Sequence, residues 1–183
     1  MWQFANLKKL QLDNNIIEEI SGLDTLTQLE WLDLSFNNIE EISGLERLVN
    51  LKDLSLANNR ITTIENLDAL VGSLQILSVA NNLITDLKNV SLKLHHYFVL
   101  CFFFQVEYLR KFGKLQTLAL KGNPLSDLQD YIFHVVAYIP CLAYIDFRIV
   151  LADEVMLKEK FVCMHAVISC HLVEAAGSRD VCG

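Results

Sequence analysis

The sequence predicts an α/β right-handed solenoid: a horseshoe with a parallel sheet on its concave wall, 3₁₀ turns on its convex side and a helical C-terminal cap. Three observations carry this. The phrase L-x-x-L-x-[LV]-x-x-N occurs five times, at Leu7 to Asn15, Leu29 to Asn37, Leu51 to Asn59, Leu74 to Asn82 and Leu115 to Asn123. The closing asparagines advance in steps of 22, 22, 23 and then 41, and the first three steps are a period at which a chain stacks supersecondary units. Hydrophobic residues make up 52% of the chain, enough to fill a core that neighbouring units share because none can bury its own apolar face.

A fixed phrase of this kind, recurring at a step in the twenties, is the signature of a leucine-rich repeat. Within each phrase, leucines alternate with polar residues, as in Leu10-Gln11-Leu12 and Leu32-Asp33-Leu34, and alternation at period two marks a short strand with one buried face. The convex half is spaced in threes, Ile17-x-x-Ile20-x-x-Leu23-x-x-Leu26. That spacing suits 3₁₀ turns, in which residues i and i+3 eclipse, better than a long α-helix. Ser21-Gly22 and Ser43-Gly44 supply the corners such turns need. The asparagine that closes each strand meets a different demand. The chain turns there inside the solenoid, and a buried amide offers two donors and an acceptor to backbone groups that have left the sheet. Asn15, Asn37, Asn59, Asn82 and Asn123 are therefore read as a structural ladder.

The positions between the leucines face the concave surface. Most are small or charged, but Trp31 and Phe36 are aromatic and stand among the carboxylates Asp13, Asp33 and Asp53. Exposed aromatics beside charges are the composition of protein-binding hot spots, so Trp31, Asp33, Phe36, Asp53, Lys9, Asp13 and Ile76 are the expected partner-binding residues.

The step from Asn82 to Asn123 is almost a full repeat too long, yet no extra phrase fills it. The segment 90–105 carries neither the repeat pattern nor a surface loop's polarity. Removing it leaves a step of 25 (41 − 16). Val90-Ser91 can be encoded by a splice-donor-like GTAAGT, and Phe102 to Gln105 by a pyrimidine tract ending in CAG. The segment is expected to be a translated retained intron, with a genuine apolar insertion as the alternative. After the last phrase, Ser126 and Asp127 are placed to cap a helix running to about Tyr138 before Pro140, and Leu142 to Phe147 alternates as a final strand. This gives a repeat domain over 1–150, followed at 151–183 by a helix start and a tail without pattern that a second intron could supply. Trp2 and Phe4 make a thin N-terminal cap, so the chain is expected to begin inside a longer protein.

Composition narrows function. The net charge is −7, and residues 1–90 account for all of it, with thirteen acids against six bases. That half is unsuited to a phosphate backbone, which needs clustered Lys and Arg, so nucleic acid is not an expected partner. All five cysteines lie outside the repeats and their number is odd, which points to reduced thiols and an intracellular chain. No signal peptide is legible at the N-terminus, and the longest apolar run, Tyr97 to Phe104, is far short of a membrane helix. Cys163, His165, Cys170 and His171 lack the paired spacing of a zinc site, so no metal or other cofactor is expected. The five histidines all lie outside the repeats, and no phosphate loop or nucleophile elbow accompanies them. Glu18-Glu19 and Glu40-Glu41 read as solvated charge. The chain is expected not to be an enzyme and to bind no small-molecule substrate.

The short repeats and the cap Asn123-Pro-Leu … Tyr138-Ile-Pro-x-Leu-x-Tyr-Ile-Asp146 resemble the repeat class named after a regulatory subunit of protein phosphatase 1. Residues Leu10 to Glu18, Trp31 to Glu40, Leu54 to Ile61, Tyr108 to Phe112 and Asn123 to Ser126 resemble the dynein regulatory complex subunit 3 family more narrowly. The likeness covers about 4–150, apart from the insertion. It implies an axonemal scaffold in the cytoskeleton of motile cilia and flagella, within the link that restrains dynein-driven sliding, with other subunits of that complex as partners. Members of that family carry long coiled coils after the repeats, and no such pattern is legible after the cap in these residues. A phosphatase-binding regulatory subunit of the cytosol or nucleus is the alternative.

Overall fold

The computed structural model describes residues 4, 6–85, 106, 108–127, 131–139 and 141–151. Segments 90–105 and 162–183, for which an intronic origin is expected, lie outside the described residues.

Each phrase places three residues in a strand: β1 (Lys9–Gln11), β2 (Trp31–Asp33), β3 (Asp53–Ser55), β4 (Ile76–Ser78) and β5 (Thr117–Ala119). They pair in chain order and in parallel, with Leu10, Leu32, Leu54, Leu77 and Leu118 in one register. Because side chains alternate across a strand, these leucines all enter the core while their neighbours line the opposite face. From Leu32 onward each is fully buried. β4 pairs directly with β5, Ile76 against Thr117, so the long step between Asn82 and Asn123 inserts no rung into the sheet.

The residues spaced in threes fill the other side of the core. Ile20, Leu23, Leu26 and Leu29 are at most 4% exposed, and the same holds for Ile42, Leu45, Leu48 and Leu51. Bonds from i+3 to i close their turns, as from the Leu26 N–H to the Leu23 carbonyl (2.9 Å) and from Leu48 to Leu45 (3.0 Å). In the first two repeats these remain isolated turns; in the third, Asp68–Leu70 forms a 3₁₀ helix. Gly22, Gly44 and Asn66 occupy the same corner of three successive repeats, with φ of +73°, +66° and +59°. A left-handed corner favours Gly and Asn, which explains the residue choice there.

Where a cap helix running to about Tyr138 was expected, the described residues hold a 3₁₀ helix at Pro124–Asp127 and the α-helix α1 at Tyr131–Tyr138. Pro124, at the start of the first piece, has the fixed φ that suits a helix's opening position. The terminal strand is also shorter and doubles back. β6 (Tyr144–Ile145) pairs in parallel with β5, and β7 (Arg148–Ile149) returns antiparallel to β6. Asp146 and Phe147 make the two-residue connection with φ of +46° and +67°, the sign pattern of a type I′ hairpin turn. The alternation through Phe147 ends there because the chain must reverse.

Candidate protein-binding face

The asparagines that close the strands fix where the face begins. Asn59 donates from Nδ2 to the carbonyls of Leu34 and Leu56, both at 3.0 Å, and its Oδ1 accepts the Ile39 N–H at 3.0 Å. Two of these three partners belong to the preceding repeat, so the side chain joins one rung to the next. Asn37, Asn82 and Asn123 repeat this pattern, and all four are at most 8% exposed. Asn15 departs from it. Its amide is exposed and donates only to its own turn, to the Leu12 and Asp13 carbonyls. The cause is position: Asn15 closes the first described rung. Leu7, Leu10, Leu12 and Ile17 are likewise only partly buried.

The strand register lines up two rows on the concave face. One runs Lys9, Trp31, Asp53, Ile76, Thr117, Tyr144; the other Gln11, Asp33, Ser55, Ser78, Ala119. Trp31 thus lies beside Lys9 and Asp53. Trp31, Asp33 and Asp53 are half-buried, Lys9 is exposed and Ile76 is 38% exposed. Burial pushes the Asp53 carboxyl above its ordinary range; the neighbouring Asp33 charge adds to this, while a hydrogen bond from Trp31 and the Lys9 charge oppose it. Asp33 is held by Ser35, whose backbone N–H donates to its Oδ1 at 2.9 Å, and Ser35 Oγ lies 2.6 Å from Ser55 Oγ. Hydrogen bonds from Gln11 and Asn14 lower the Asp13 carboxyl. Asp13 and Phe36 lie past their strands, in the turns at the sheet's edge. Phe36 is 54% exposed there and takes φ +55°.

A charged line borders the same sheet where the strands begin. Glu30 bridges Lys8 (2.9 Å) and Lys52 (2.6 Å), residues at one position of three successive repeats. The two ammonium groups, Lys52 foremost, hold the Glu30 carboxyl down to about 2. Sequence reasoning missed this line, although a K/E/K alternation at the repeat step was there to find. It also missed Tyr144, which extends the Trp31 row into the cap and is 47% exposed. Among the described residues no group of three His, Cys, Asp or Glu side chains is placed to hold a metal ion. No helix of the described residues is long and apolar enough to cross a membrane.

The leucine-rich repeat family matches residues 4–166. This chain belongs to the leucine-rich repeat family. Within it, the chain is similar to dynein regulatory complex subunit 3 of Macaca fascicularis, 55% identical over 43 residues. The human protein of that name is 53% identical over 41 residues. Each matched stretch is under a quarter of this chain and 8% of the relative, so it spans less than a tenth of those relatives' length. A chain of the SNF/U2A′ complex of Drosophila melanogaster superposes with a TM-score of 0.69 at 26% identity, covering 88% of this chain and 90% of that one. The leucine-rich repeat solenoid read from the spacing is therefore the fold.

Proposed function

We propose that the chain is a non-enzymatic protein-interaction scaffold, the repeat head of a dynein regulatory complex subunit in the axoneme of cilia or flagella. The observation that carries this is Trp31: an aromatic held half-exposed on a rigid strand, in register with Asp53 and in line with Lys9 and Ile76. Rigid presentation lowers the ordering cost of binding, and half-buried aromatics beside carboxylates suit the centre of an interface. Asp33, Asp13 and Phe36 extend the face toward the turns. The similarity to dynein regulatory complex subunit 3 supplies the complex, and with it the other subunits as partners and a role in ciliary motility. The SNF/U2A′ likeness supports an interaction role, since that chain too was solved in a complex.

Capture from solubilised axonemes, using the chain as bait and mass spectrometry of the bound subunits, tests the reading. Wild type should enrich dynein regulatory complex subunits. Trp31→Ala should lower their recovery at least tenfold, the effect of a hot-spot residue of about 1.4 kcal/mol or more, with the melt by circular dichroism nearly unchanged. Enrichment of phosphatase catalytic subunits in their place would overturn the proposal.

A further inference from the structure

Among the described residues, Phe36 and Phe147 are the two large apolar side chains at positive φ, +55° and +67°; the other non-glycine positions of that kind are Asn or Asp. At the turn that Phe36 occupies, neighbouring repeats have Asn14, Asn58, Asn81 and Gly122, also at positive φ. A bulky side chain is disfavoured in this region relative to Asn or Gly. Neither phenylalanine gains core packing in exchange, for they are 54% and 85% exposed. Strain without a return inside the fold points outward, to a partner that uses the side chain.

A groove of ≈ 790 Å³ runs along the turn edge from the β3 rung to Phe147, and Phe36 stands one rung beyond its near end. Ala57 and Asn58 line one end, and the Phe36 N–H donates to the Ala57 carbonyl at 2.9 Å. Lys121, Gly122 and Phe147 line the other end. The floor is tight: Asn81 Nδ2 donates to Asn58 Oδ1 at 3.1 Å, and a Cβ on Gly122 would collide with the Asn81 side chain. From the β2 rung to the β6 turn are four strand spacings, roughly 19 Å at about 4.8 Å each.

We propose that this groove, continued over the neighbouring turn by Phe36, is a docking track for an extended segment of a partner protein, with apolar side chains meeting Phe36 and Phe147 and a Lys or Arg beside the first. The inference rests on the protein-binding reading and adds the partner's chemistry. An extended chain rises about 3.3 Å per residue, so the two anchors lie about six residues apart, an even number that puts both on one face. The basic residue follows from charge. Asp13, Asp33 and Asp53 lie toward the Phe36 end, in the half of the chain that holds the whole −7 net charge. Complementary charge there fixes the segment's direction.

Selection of a random dodecapeptide phage-display library on the full chain, followed by affinity and melting measurements on Phe36→Asn and Phe147→Gly, tests the proposal. The selected peptides should share two apolar positions about six apart with a basic residue next to one. Each variant should lose at least tenfold in peptide affinity. Each should also melt higher, its unfolding equilibrium constant lowered by roughly fivefold, because Asn restores the residue of the neighbouring rungs and Gly suits the hairpin turn. Failure to select any peptide, an acidic consensus, undiminished affinity in both variants, or a lower melt in either would overturn it. Those failures would leave the Trp31 face standing, since capture with Trp31→Ala reads that face separately.

Discussion

At the scale of single residues, burial separates side chains that share a motif position. Asn59→Ala strips hydrogen bonds from the Leu34 and Leu56 carbonyls and from the Ile39 N–H, all inside the core. Leaving buried backbone groups unpaired costs about 1–3 kcal/mol each, so this variant should lose at least ~3 kcal/mol. Asn15→Ala should change stability by less than ~0.5 kcal/mol, because its amide is exposed. Urea midpoints of the two variants check the contrast. Glu30 adds a pH dependence. Its carboxyl is lowered from 4.5 to about 2 by Lys52 and Lys8. A depressed carboxylate contributes stability above its unfolded value and loses it as pH falls through the folded one. The loss should thus fall between pH 4.5 and about 2. In Glu30→Gln the acid limb of the stability curve should flatten in that window, more visibly at low salt because the pairs are exposed. An unchanged acid limb would show that the two lysines do not act on it in solution.

At the scale of the repeat, corners and junctions decide the geometry. Gly44 takes φ +66°, and a Cβ there would run into the Ile20 carbonyl, whereas one on Gly72 meets nothing. Gly44→Ala should therefore destabilise by more than ~1 kcal/mol, while Gly72→Ala should be neutral or gain up to ~1 kcal/mol from a stiffer unfolded chain. Thermal melts of the pair read this directly. The third and fourth repeats are joined through Tyr108, whose hydroxyl accepts the Leu67 N–H at 2.7 Å and donates to Asp68 Oδ2 at 3.2 Å. Lys111 pairs with Asp68 and lies 3.8 Å over the Tyr108 ring. These elements also show what was legible in the sequence. The strands, their order and the leucine register follow from a phrase that repeats, because period two and a constant step leave one way to stack the chain. Tyr108, the Lys8–Glu30–Lys52 line and the β6–β7 hairpin each depend on which residues the solenoid brings together. Asp146-Phe147 carries no Gly or Asn to announce a turn, so its reversal was hidden. Trp31 was legible as a strand residue between core leucines; its place beside Asp53 needed the register between β2 and β3.

At the scale of the molecule, the sheet and core from β1 to the cap form one stack. Asn123 Nδ2 donates to the Val79 carbonyl at 2.9 Å and its Oδ1 accepts the Ile84 N–H at 3.0 Å, so the closing repeat docks on its neighbour in the manner of the earlier ones. Deleting residues 90–105 should leave this junction intact and the circular-dichroism melt no lower than that of the full chain. A large drop would mean that the segment belongs to the fold. The central claim is that the concave strand face receives a protein of the dynein regulatory complex. A benzophenone photo-crosslinker carried in place of Trp31 measures this most directly, with the same group in place of Val49, which is 54% exposed outside the sheet, as the control. Irradiation with solubilised axonemes should join position 31, and not position 49, to a dynein regulatory complex subunit. Crosslinks from position 49 alone, or from position 31 to a phosphatase catalytic subunit, would contradict it.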